Sequence, residues 1–306
     1  MEKTCRCGMR GHLPRKRSLS GLTALAGLLT VVLCAGCAGV RIGTDSATPI
    51  TMKSERGRPF IPVLLNGKGP YWFAVDTGWQ TAADISPRVE RDLKLRRDKD
   101  RIVLLDSFAV GEMVFKNFDV FVDDNPKLWD LLGNKTDGII GMGFLKYFEV
   151  TINYPRSTMS FVPAFSFIGK HQKPKPTFSY VRIKYSNHYI VVPTYVNGAG
   201  PYSFVLDTGS SKCIISTEIA DRLSLARSNP HPARGAVDDI ACWDSSVESL
   251  KVGNKAVPNL QVGVMDCADV SKMAECKIDG YIGCNFLKHC AVTFSVLDLY
   301  IGIGTE

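Results

Sequence analysis

The chain carries one stretch twice. Residues 66–80 read N-G-K-G-P-Y-W-F-A-V-D-T-G-W-Q and residues 197–211 read N-G-A-G-P-Y-S-F-V-L-D-T-G-S-S, aligned without a gap over all fifteen positions. Asn66 pairs with Asn197, Pro70 with Pro201, Tyr71 with Tyr202 and Asp76 with Asp207, each 131 residues apart, and Pro62 and Pro193 keep that offset upstream. Repeats that stack into arrays recur about every 20–50 residues. A single duplication at this longer spacing means two domain-sized halves. A fold for this chain has to explain why it needs both D-T-G turns.

The surroundings of the two copies also match. Phe60–Leu65 with Tyr71–Val75, and Tyr189–Val196 with Tyr202–Leu206, read as strand pairs joined by Gly-rich turns. After each D-T-G a short apolar stretch leads to a helix start, with Ser86 and Ser216 as N-caps and Pro87 at the first helical position. Further along, Asp137-Gly138-Ile139-Ile140-Gly141 and Asp279-Gly280-Tyr281-Ile282-Gly283 form a second shared signature, with Thr151 and Thr293 fourteen residues beyond the aspartates. The predicted architecture is mainly β: two lobes with short helices, residues 60–165 and 179–306, joined by a Lys/Pro-rich linker over 166–178.

The formal charge of +7 is concentrated at the start. Residues 1–37 hold six bases and one acid, and the remaining 31 bases and 29 acids leave +2, which gives no electrostatic reason to expect a nucleic-acid partner. Arg15-Lys16-Arg17, the apolar run Leu22–Leu33 and the small residues Ala35-Gly36-Cys37-Ala38 have the form of an export signal. The A-G-C box resembles a bacterial lipoprotein cleavage site with Cys37 as the lipidated residue, although Cys34 stands where that box has Leu. An uncleaved anchor over Leu22–Val40 or a plain secretory signal are the alternatives. Each of them puts the body of the protein outside the cytoplasm, in the cell envelope, with residues 38–59 as a polar tether. Six cysteines, Cys213 to Cys290, all fall in the second half. An even set in an exported chain predicts disulfides, with Cys267–Cys276 the preferred pair. There is no C-x-x-C or H-E-x-x-H in this half to recommend a metal, and no cofactor motif appears.

An apolar strand, D-T-G, and then D-G-hydrophobic-hydrophobic-G some sixty to seventy residues on resembles one lobe of an aspartic protease. Two such lobes resemble a single-chain, tandem member of the retropepsin-like and pepsin-like superfamily, over essentially all of residues 60–306. The resemblance implies two β-barrel lobes related by a pseudo-twofold axis. It implies Asp76 and Asp207 as a catalytic pair, supported by Thr77, Gly78, Thr208, Gly209 and Ser210, with Thr77 and Thr208 cross-linking the loops. It further implies Ile139, Ile140, Gly141 and Tyr281, Ile282, Gly283 threading beneath them. Asp137 and Asp279 read as turn residues rather than extra acids.

The chemistry explains the duplication. Two carboxyl groups about 3 Å apart cannot both ionise, so one takes a proton from water while the other donates to the substrate carbonyl. Each lobe supplies one carboxyl, so this chain can complete the site as a monomer, with a peptide or protein as substrate. One residue departs from the pattern: Trp79 stands where pepsin-type lobes have Ser or Thr. It packs beneath the loop, lines the substrate site, or marks a decayed site. The leading reading is an aspartic endopeptidase, and the runner-up is a catalytically inactive peptide-binding envelope lipoprotein on the same fold.

Overall fold

The computed structural model describes residues 29–33, 38–42, 48–133, 136–164, 177–234 and 239–304. Cys37 and most of the expected export signal and linker lie outside these residues.

Each lobe is built on the duplicated hairpin. In the first, Arg58–Leu65 pairs antiparallel with Lys68–Val75; in the second, Tyr189–Val196 pairs with Ala199–Leu206. The two-residue turns Asn66-Gly67 and Asn197-Gly198 all take positive φ, the backbone that a tight hairpin between right-twisted strands requires. Asn66 Oδ1 accepts from the Ser107 amide at 3.0 Å and Asn197 Oδ1 from the Ser249 amide at 3.1 Å, fixing each turn to a neighbouring strand. Both hairpins shift register at the same place, between Val63 and Leu65 and between Thr194 and Val196.

The D-G signatures follow as short strands. Gly138–Ile140 runs parallel to Phe73–Val75, and Gly280–Ile282 parallel to Phe204–Leu206, so each inner strand is held from below. Asp137 Oδ2 accepts from the Trp72 amide at 2.7 Å, and Asp279 Oδ2 from the Ser203 amide at 2.9 Å. These acids are fasteners of the inner strand and take no part in the pair above it. Ser86 and Ser216 cap the helices Pro87–Leu93 and Thr217–Arg222.

A third sheet joins the halves. Its six strands run Phe178–Arg182, Tyr300–Gly304, Ala291–Ser295, Phe148–Asn153, Thr158–Pro163 and Ile50–Thr51, three from each half. At its centre Thr151 pairs with Thr293, and the Thr151 hydroxyl donates to the Thr293 hydroxyl at 2.9 Å. Equivalent residues meeting each other mark the pseudo-twofold axis. The two β-lobes with short helices are therefore those of the sequence analysis.

Two expectations are corrected. The tether over 38–59 does not run to Pro59: Ile50–Thr51 and Lys53–Glu55 are already strands of the folded body, and Phe178, assigned to the linker, begins another. The polar sequence misled because these strands are short and lie at sheet edges. Backbone strands Leu29–Leu33 and Ala38–Ile42 also pair, the second lying along Met113–Val122. The disulfide expectation fails too: all six described cysteines are free, and five are buried. Burial pushes Cys213, Cys267, Cys284 and Cys290 up to about 12, so these thiols stay neutral and act as small core residues. The first lobe instead fills its core with phenylalanines, Phe108 stacking on Phe118 at 4.5 Å and Phe144 meeting Phe148 at 4.9 Å. Each such ring, buried, contributes about 1.5–3 kcal/mol.

Candidate active site

The inner strand of each hairpin ends in D-T-G where the lobes meet. The Asp76 amide donates to the Ile140 carbonyl at 2.9 Å and the Asp207 amide to the Ile282 carbonyl at 3.1 Å. The D-G strands thus set the height at which each carboxyl projects. Thr77 and Thr208, both buried, then tie the loops together. The Thr77 hydroxyl donates to the Leu206 carbonyl at 2.7 Å and accepts from the Thr208 amide at 3.1 Å. The Thr208 hydroxyl donates to the Val75 carbonyl at 2.6 Å and accepts from the Thr77 amide at 3.0 Å. Four reciprocal bonds across the lobe boundary leave these buried polar groups satisfied and hold the turns in one arrangement.

The grip brings the two carboxyls together. A Cβ on Gly78 would meet Asp207 Oδ1 at 2.9 Å and Asp76 Oδ1 at 3.2 Å, so the two carboxyls lie side by side over that turn, and both residues are half-buried rather than sealed. Asp76 Oδ1 accepts from the Gly78 amide at 2.8 Å. Asp207 Oδ1 accepts from the amides of Gly209 at 2.9 Å and Ser210 at 3.0 Å. Burial raises the Asp76 carboxyl above its ordinary range, against the Gly78 amide and the Arg58 guanidinium. Burial, then repulsion by Asp76, pushes Asp207 up to about 7, against the Gly209 and Ser210 amides and Arg58. A pair this close titrates as one unit and keeps one proton where an isolated aspartate would have none.

The glycines serve this approach in a way the sequence left open. Neither Gly78 nor Gly209 takes a positive φ. A Cβ on Gly209 would instead lie 2.1 Å from Asp76 Oδ2, and one on Gly78 2.9 Å from Asp207 Oδ1. Each glycine is the space that the opposite carboxyl occupies. Gly141 and Gly283 do the same one layer down, where a Cβ would lie 2.5 Å from the Trp79 carbonyl and 2.4 Å from the Lys212 carbonyl.

The residues that follow the two glycines are held differently. The Ser210 hydroxyl donates to the Lys212 carbonyl at 2.8 Å, so it is the Ser210 amide that reaches the carboxyl. Trp79 turns beneath its loop, packing beside the cluster of Phe60, Ala74, Leu128, Leu132 and Ile139. Its indole Nε1 donates to Asp84 Oδ2 at 2.9 Å, and the Thr81 hydroxyl donates to Asp84 Oδ1. Asp84 is 1 % exposed, and burial pushes it up to about 6.

Sequence reasoning missed Asp84 and Arg58. The buried Arg58 donates from Nε to the Gly209 carbonyl at 2.5 Å and from Nη1 to the Leu131 carbonyl at 2.9 Å. The available signal was an Arg at the head of the strand in one copy, aligned with Tyr189 in the other. Among the described residues no group of three or more His, Cys, Asp or Glu side chains could hold a metal ion.

The architecture is an aspartic-protease-like fold of two lobes in one chain. The aspartyl protease family model matches residues 192–286, the span that holds the second D-T-G and its D-G partner. The aspartic proteinase from Irpex lacteus shares the fold, with TM-score 0.52 at 10% identity over 85% of this chain and 98% of that one. Basic 7S globulin from soybean aligns over 85% of this chain and 96% of its own, with TM-score 0.48 and 10% identity. No curated protein matches the chain in sequence.

Proposed function

We propose that this chain is an aspartic endopeptidase, exported and held in the cell envelope through a lipid on Cys37. The observation that carries the reading is a pair of half-buried carboxyls from two different lobes, side by side over the two glycines. Such a pair holds one proton near neutrality. The charged carboxyl draws a proton from a water molecule as that water attacks the peptide carbon, and the protonated partner donates to the carbonyl oxygen. The tetrahedral species then collapses, its nitrogen leaving with a proton returned by the pair. No covalent intermediate is needed. The amides of Gly78, Gly209 and Ser210 hold the carboxylate charge in place without side-chain reorganisation. The substrate is a peptide or unfolded protein segment, and the monomer contains both halves of the site.

The test incubates the mature protein with an unfolded protein between pH 3 and pH 8. Cleavage that is blocked by a statine-containing peptide and abolished by Asp76→Asn and by Asp207→Asn supports the reading. An intact substrate at every pH, or cleavage that survives both substitutions, contradicts it. Peptide binding that persists in both variants without cleavage would assign the fold to recognition instead.

A further inference from the structure

We propose that Arg58 is a positioning residue that locks the second catalytic turn to the first lobe and supplies the counter-charge for the pair's single negative charge. The inference rests on reading Asp76 and Asp207 as a working pair.

The geometry gives the first part. Arg58 opens the inner hairpin of the first lobe, yet its guanidinium crosses to the second lobe's Gly209 carbonyl at 2.5 Å. Its other bond, 2.9 Å to the Leu131 carbonyl, ends on the first lobe's helix Pro126–Leu132. A planar fork with fixed donors can span two carbonyls in this way. Gly209 is the residue whose missing Cβ makes room for Asp76, and the site has little slack there.

The surroundings give the second part. Arg58 is 7 % exposed as a residue, and a buried guanidinium is costly without a negative partner. No carboxylate lies within ion-pair distance of Arg58 among the described residues. The acids on which it acts are Asp76 and Asp207. The other titratable groups facing the pair are Tyr189, Tyr281 and Tyr154, with Cys284 below; burial raises each of them, so they are neutral in the working range. Arg58 and a singly ionised pair together are neutral, and that balance favours one shared proton over two. The aligned position in the second half holds Tyr189, whose phenol burial keeps neutral. Of the two aligned positions, only the one in the first half brings a charge.

The test replaces Arg58 by Gln, Met and Lys and follows the pH dependence of kcat/KM together with the 13C carboxyl titrations of Asp76 and Asp207. Near-UV circular dichroism identifies the variants that retain the fold, and Gln, which keeps one donor, carries the test where Met does not fold. In R58Q and R58M both limbs of the profile and both carboxyl midpoints should move to higher pH by about one unit or more. R58K should keep the wild-type midpoints and lose roughly tenfold in kcat, because an ammonium cannot bridge two carbonyls. Midpoints unmoved in R58Q or R58M, or moved equally in R58K, overturn the proposal. If the wild-type protein cleaves nothing, the endopeptidase reading fails by itself, and the carboxyl titrations still decide on Arg58.

Discussion

The two D-T-G turns share a backbone and differ in what supports it. In the second, Ser210 follows Asp-Thr-Gly, and the carboxyl takes two amides, from Gly209 and Ser210. In the first, Trp79 follows, and its indole is bound from beneath by the buried carboxyl of Asp84. The position aligned with Asp84 in the second copy is Ile214, packed among apolar neighbours. The family model matches the span containing the second turn. The comparison teaches that the geometry at the pair is set by the shared parts: the glycines, the threonine grip and the D-G strands. The residue after the glycine can then be exchanged, provided the layer below exchanges with it.

The largest effects should fall on the shared parts and fall equally. Asp76→Asn and Asp207→Asn should each lower kcat roughly 10³-fold or more while leaving the fold intact, measured by peptide cleavage and circular dichroism. A large difference between them would mean that the turns are not equivalent. Next comes an asymmetric pair. Gly209→Ala should cost more activity than Gly78→Ala, since the added methyl meets a carboxyl oxygen at 2.1 Å rather than 2.9 Å; the ratio of kcat/KM in the two variants measures it. Thr77→Val and Thr208→Val should each cost about 2–4 kcal/mol of stability in urea titrations, because each leaves a buried amide and a buried carbonyl without a partner.

The smallest effects should sharpen the difference. Asp84 is held above its ordinary range in the folded protein, so it favours the folded state when protonated, and that contribution is lost as pH rises from about 4 through about 6. The loss is on the order of 3 kcal/mol. Asp84→Asn should flatten this part of the stability–pH curve, and Ile214→Val in the second lobe should not change its shape. Trp79→Phe removes a donor to Asp84 and should move the Asp84 titration further up. Ser210→Ala loses only the bond to the Lys212 carbonyl and should cost about 1 kcal/mol.

Most of this architecture was legible because a duplication doubles every signal. One D-T-G is a common turn, but two with matched hairpins, caps and D-G partners fix both the fold class and the residues that must meet. Asn-Gly turns and alternating apolar residues placed the inner hairpins within a few residues. The unread parts are those that break the symmetry. Arg58 looked like tether because the strands ahead of it are too short to show a period, and its partners are carbonyls 73 and 151 residues away. Asp84 sits inside an apolar run, and nothing in the sequence says that an indole five residues earlier turns down to meet it. The cysteines misled because an even count also fits a core that uses thiols where the other lobe uses larger side chains. Nor does the sequence say why Gly78 and Gly209 are needed: what they spare is room for a carboxyl from the other lobe.

The two lobes should hold one proton between Asp76 and Asp207. Proton counting tests it directly, as the difference in acid–base titration between the wild-type protein and the Asp76→Asn/Asp207→Asn double variant from pH 3 to pH 9. One proton should leave the pair with a midpoint near 7 and the other well below it. Two protons released together near the ordinary aspartate value would contradict it.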